Sequence, residues 1–242
     1  MSPAGHGKRG RVSEGRQKVF TQILQASVQA SKQIWALAPE TMGVALSAPF
    51  AISGVDMHVY VSFLRGVNVG GHNKIKMDSL RELYRKLGFH DPRTYVQSGN
   101  VVFGAKEKNL KPKLIEDAIE KAFGFRPGIV LRTAAELKKT VQRNPFAKRE
   151  GINPGLLLVS FLANACSKEA LAALRALPIG PEEMHPVGRE IFIYFPDGMG
   201  RSKFPWASMD KVLKTTVTGR NLRTVTTLLS MAEEMEAGAE RR

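Results

Sequence analysis

The sequence predicts an α+β fold of two related ferredoxin-like subdomains, each a split βαβ unit with an antiparallel sheet and helices packed on it. Three observations predict it. From His58 the hydrophobic period switches between two and 3.6 in the order β-α-β-β-α-β. A similar order returns in the second half. The tetrapeptide Val-Ser-Phe-Leu occurs at Val61–Leu64 and again at Val159–Leu162, each time in the strand opening a half. The boundaries that follow are an extension at 1–56, a first subdomain at 57–140 and a second at 141–242.

The elements are justified in order. HVYVSFLRG alternates as a strand. In MDSLRELYRKLGF, residues Met77, Leu80, Leu83, Tyr84 and Leu87 share one helical face, and Gly88 suits the left-handed residue that ends the helix. RTYVQ and VVFG are two strands, with Gly99-Asn100 as a two-residue hairpin turn. LKPKLIEDAIEKAFGF is a second helix with Leu114, Ile115, Ala118, Ile119, Ala122 and Phe123 inward, stopped at Gly124. GIVLRT closes the first unit as a strand.

In the second half, GLLLVSFLA is a strand and SKEALAALRAL a helix opened by Ser167. EEMHPVG and REIFIYFP form a hairpin turning near Gly188-Arg189. FPWASMDKVLK is a helix, TTVTG a short extended piece, and NLRTVTTLLSMAEEM a closing helix capped by Asn221. The tail AGAERR is expected to fray. Residues 1–56 show no strand or turn logic and read as a loose extension, with folding starting at Met57.

Charge narrows the partners. Of a formal +14, the first 56 residues carry +3 and the remainder +11. Such a surface favours anions: phosphorylated metabolites, nucleotides or nucleic acid. Cys166 is the only cysteine, which excludes an intrachain disulfide and a cysteine metal cluster. No long uncharged apolar run is present, so no membrane partner is expected and the chain reads as cytoplasmic. No phosphate-cradling P-loop, dinucleotide fingerprint, H-E-x-x-H, nucleophile elbow or EF-hand loop occurs, and the five histidines lack metal-ligand spacing. No cofactor, oligomeric state or reaction is indicated.

Topology selects the candidate site. In a split βαβ unit, the loop leaving the first strand and the hairpin between the second and third share one end of the sheet with the first helix N-terminus. Arg65 offers a planar cation. Gly66, Gly70 and Gly71 permit positive φ and suit an anion-binding nest, and Asn68 is a further candidate ligand-binding residue of the same loop. His72, Asn73, Lys74, Ser98 and Asn100 add donors. His72 is also the one histidine placed to act as an acid or base, though no partner carboxylate accompanies it. Late in the chain, Arg201, Ser202 and Lys203 follow a strand, and Arg220 and Asn221 open the closing helix; a cleft between halves would bring these to face Arg65.

The runs FLRGVNVGGHNKIKM and TYVQSGNVVF, then NPF at Asn144–Phe146 and the late GRSK and TVTGRNLRTV, resemble a bacterial family called domain of unknown function 1697, over about residues 57–229. The family more often shows Thr-Thr-Arg-Asn-Trp where this chain has Thr218-Gly219-Arg220-Asn221-Leu222. The resemblance implies two related α+β subdomains and a start equivalent to Met57, and it implies no activity. The function expected is therefore binding of a small anionic, phosphate- or nucleotide-like ligand at the 65–76 end of the first sheet. The alternative is nucleic-acid binding through the basic surface, for which the RRM signature is absent.

Overall fold

A computed structural model describes residues 57–106, 108 and 110–240. The expected extension at 1–56 lies outside them. The first unit runs β1 (His58–Leu64), α1 (Met77–Lys86), β2 (His90–Thr94), β3 (Asn100–Ala105), α2 (Pro112–Phe123), β4 (Ile129–Thr133) and α3 (Ala134–Gln142). The second runs β5 (Leu157–Leu162), α4 (Lys168–Arg175), β6 (Glu183–Val187), β7 (Glu190–Tyr194), α5 (Trp206–Leu213), β8 (Val217–Asn221) and α6 (Leu222–Glu240). Strand orders are β2-β3-β1-β4 and β6-β7-β5-β8, antiparallel throughout. The two halves are therefore the same split βαβ topology, each followed by an extra helix.

Period-two alternation explains the layering. Odd residues of β1 (Val59, Val61, Phe63) and of β5 (Leu157, Val159, Phe161) point into one shared core between the sheets, joined by Leu137 of α3 and by Val225 and Leu228 of α6. Even residues face outward from that core. Tyr60 and Leu64 pack under α1 and α2 against Leu80, Tyr84, Ile115 and Ile119. Leu158 and Leu162 pack under α4 and α5 against Leu174, Met209 and Leu213. At the centre the Phe63 and Phe161 rings stack 4.3 Å apart. Ser62 on the outer face of β1 meets the buried Tyr84 hydroxyl at 2.8 Å, and burial pushes that phenol well above its ordinary pKa.

Helix ends follow their sequence signals. Gly88 (φ 82) ends α1 in a Schellman motif: the Phe89 N–H bonds Tyr84 O and the Gly88 N–H bonds Arg85 O. Gly124 (φ 78) ends α2, and the Ser167 and Asn221 side chains cap α4 and α6.

Five local expectations are corrected. The second strand is His90–Thr94 rather than RTYVQ, with an irregular register between His90 and Arg93, and Tyr95-Val96-Gln97 belongs to the loop. The turn is not Gly99-Asn100: Tyr95 N–H bonds Asn100 O across a four-residue loop, and Asn100 begins β3, fully buried. Leu114 and Ala122 lie on the solvent side of α2. Arg220 lies in β8 instead of the helix start, because the strand continues to Asn221. The closing helix carries on through Ala237-Gly238-Ala239 to Glu240, where fraying was expected.

Helix α3 is an addition to the sequence expectations. Its signal is a capping box at Thr133-Ala-Ala-Glu136, where the Glu136 N–H bonds Thr133 Oγ1 and the Thr133 N–H bonds Glu136 Oε2.

Candidate functional site

The loop after β1 folds into a small hairpin of its own. Gly70 (φ 58) and Gly71 (φ 82) take positive φ at both central positions of a turn closed by the His72 N–H on Val69 O at 3.0 Å. This is the type I′ geometry that only glycine-like residues enter without strain. Asn68 staples the base of this hairpin: its Oδ1 accepts the Ile75 N–H, and its Nδ2 donates to Ile75 O and to Gln97 O. Asn73 Nδ2 donates to Gly66 O at 3.1 Å. The glycines thus form a projecting tip, and Asn68 and Asn73 spend their side chains on the scaffold.

Four basic side chains stand at the surface around it. Arg65 is half exposed and pairs with Asp210 of α5 at 2.6 Å. His72, Lys74 and Lys76 are exposed. Lys76 occupies the N-cap position of α1, which has no side-chain cap, and the first helical bond runs from the Leu80 N–H to Lys76 O. The N–H groups of Met77, Asp78 and Ser79 therefore face outward at the positive end of the helix dipole.

Asn100 and Arg220 do come together, as a buried joint. Arg220 is 8% exposed and uses all five guanidinium donors: Nε on Asn100 Oδ1 at 2.5 Å, Nη1 on Thr218 Oγ1 and Gly219 O, and Nη2 on Leu64 O and Ser98 O. Asn100 Nδ2 in turn donates to Tyr95 O and to Ser98 Oγ. The guanidinium lies over the Phe63 ring at 5.8 Å. Burial lowers its pKa to about 10, and no carboxylate offsets this. Gly99 sits beneath this joint. Its φ is +72, and a Cβ there would lie 2.8 Å from Leu64 Cβ.

A second joint, which the sequence expectations missed, mirrors the first. Arg132 of β4 is 1% exposed. It donates to Glu190 Oε1, to Leu131 O and to Leu162 O and Arg189 O, and it lies over the Phe161 ring at 5.6 Å. Leu131 matches Gly219, Leu162 matches Leu64, and Glu190 matches Asn100. Each arginine thus reaches from the last strand of its own half to the first strand and hairpin of the other. Its signal was available: both arginines stand one residue before a helix N-cap, Thr133 or Asn221. Burial lowers the pKa of Arg132 as well, opposed by Glu190.

Arg201, Ser202 and Lys203 stand elsewhere. Ser202 hydrogen-bonds Glu182, and all three line a groove with residues 178–182 that includes none of residues 65–76.

A model of the family described as a protein of unknown function (DUF1697) matches residues 57–192. The chain belongs to that family. The match to DUF1697 covers both strand-opening Val-Ser-Phe-Leu runs and stops short of the GRSK and TVTGRNLRTV motifs. Among curated proteins none matches. The conserved bacterial protein SP0830 from Streptococcus pneumoniae shares the fold, with a TM-score of 0.53 at 21% identity, covering 73% of this chain and 99% of that one. Among the described residues no group of three or more metal-ligating side chains is gathered, and no helix is long and apolar enough to cross a membrane.

Proposed function

We propose that this DUF1697 member binds a small anionic ligand, of phosphate or nucleotide type, at the start of α1. The observation that carries this is the uncapped helix N-terminus with Lys74, Lys76 and His72 beside it, none of them held in an ion pair among the described residues. Backbone N–H groups, the helix dipole and two lysines act on an anion in the same direction. Arg65 joins the site if the ligand displaces Asp210. Asn68, Gly70, Gly71, Asn73, Ser98, Asn100 and Arg220 shape and brace the loop, and Asn221 caps α6.

The test is titration of the full chain with inorganic phosphate and ADP, followed by amide chemical shifts. Saturable shifts at Met77–Ser79 are expected. A Lys74→Ala, Lys76→Ala double variant should weaken binding by about tenfold, since each exposed ammonium–phosphate pair contributes on the order of 0.2–1 kcal/mol. Absence of saturable shifts in the intact chain at millimolar ligand overturns the proposal.

Nucleic acid is the second reading, resting on the +11 charge of residues 57–242. Both faces of β1, β3 and β5 are buried, so base stacking on an open sheet has no surface here. Binding would fall on the phosphate backbone and vanish as salt rises.

A further inference from the structure

The loop entering α5 closes on the loop entering β6, and the two enclose a groove of about 350 Å3, within the roughly 300–1,000 Å3 typical of small-molecule sites. A carboxylate stands in its wall. Glu182 is 8% exposed, and its one polar partner among the described residues is the Ser202 hydroxyl. Ser202 Oγ already accepts the Phe204 N–H at 3.0 Å, so its own proton goes to Glu182 Oε1. The second oxygen, Oε2, lies against Gly180 (φ +67), where a Cβ would stand 3.0 Å away. Glu182 forms no ion pair with any described residue.

Glu182 Oε2 thus has no donor among the described residues, and a carboxylate oxygen in a groove wall is an acceptor suited to a ligand's ammonium group. The same groove carries two cations, Arg201 and Lys203, exposed and with no acidic partner among the described residues; the remaining charged wall is Asp197. Pro178, Ile179 and Pro181 supply an apolar side. Acceptor, cations and apolar wall together describe a dipolar ligand with a hydrocarbon side chain.

We propose that this groove binds a free apolar α-amino acid, its ammonium on Glu182 Oε2 and its carboxylate on Arg201 and Lys203. The site is independent of the anion site at α1, and neither depends on the other.

The test is calorimetric titration of the full chain with L-leucine, L-isoleucine, L-valine and L-methionine. At least one should bind saturably. N-acetyl-L-leucine, which has no ammonium, and L-leucinamide, which has no carboxylate, should bind at least about tenfold more weakly than L-leucine. Glu182→Gln keeps the Ser202 hydrogen bond and should lose at least about tenfold in affinity, while Lys74→Ala leaves it unchanged. Lys203→Met, at an exposed position, provides the same comparison if Glu182→Gln does not fold. The proposal is overturned if none of the four binds at millimolar concentration. It is equally overturned if the acetylated ligand binds as well as leucine, or if the folded variants bind as the parent does.

Discussion

Asn100 shows how far residue-scale reasoning carries. As a residue next to glycine between two strand-like runs, it reads as a turn former, and that reading fails because nothing local announces the guanidinium it meets from a residue 120 positions later. Its mirror position holds Glu190, which gives Arg132 a counter-ion that Arg220 lacks. Supplying one is therefore a direct test of the mirror relation. Asn100→Asp should raise the midpoint of thermal unfolding at pH 7, since a carboxylate beside Arg220 offsets a buried charge. The sign of its pH dependence is fixed. An aspartate beside a guanidinium has a folded pKa below its unfolded value, so its stabilisation is present above the unfolded value of about 3.9 and is lost as pH falls through the folded value. A variant melting at or below the parent at pH 7 would show that losing the Asn100 Nδ2 bonds to Tyr95 O and Ser98 Oγ outweighs the gained counter-ion.

At the scale of elements, strands and helices with a clear hydrophobic period were legible, along with the glycines and Ser167 or Asn221 that end or start them. Helix α3 was missed although its capping box was in plain view, because Ala-Ala-Glu-Leu-Lys-Lys follows a strand without a break. The second strand was misplaced because its register is irregular between His90 and Arg93, and Val96 takes φ 49, a conformation that β-branched residues rarely adopt. Strand β4 adds a feature no local pattern encodes. It is the outer strand of its sheet, and since Gly128 O faces β1, residues 129, 131 and 133 turn their backbone groups outward. Side chains cover three of those groups: Glu116 takes the Ile129 N–H, Arg132 covers Leu131 O, and Glu136 takes the Thr133 N–H. Open strand edges invite pairing with other chains. A Glu116→Ala, Glu136→Ala variant should therefore scatter more light on heating than the parent at equal protein concentration; unchanged scattering would show that this edge needs no cover.

For the whole molecule, the duplicated topology was legible from element order and the repeated Val-Ser-Phe-Leu, whereas the fastening between the halves was not. Arg220, Phe63, Phe161 and Arg132 form one stack through the centre, with a guanidinium at each end. Hydrogen bonds between positions 30 to 156 residues apart leave no periodic trace in a single sequence. The candidate site was legible to the extent that it is a local loop beside a helix start; Glu182 and Arg132 were not, since burial alone gives them meaning. The two fastenings predict unequal losses. Arg132→Ala strands the Glu190 carboxylate and should cost about 3–5 kcal/mol. Arg220→Ala strands neutral acceptors, at about 1–3 kcal/mol for each one left dry. Hydrogen exchange is the measurement of choice. Arg220→Ala should speed exchange at Ile115 and Ile119 in the other half, and protection there at the parent level would show that the halves are held together by their apolar core alone.

The reciprocal arginines also bear on the order in which the chain is made. A ribosome releases β1, the 95–99 loop and β3 long before Arg220, so the first half leaves the exit tunnel with the acceptors at Leu64, Ser98 and Asn100 unfilled. Arg132 likewise waits for Leu162, Arg189 and Glu190. Neither half is finished by its own residues, and the nascent protein closes only when its eighth strand has been translated.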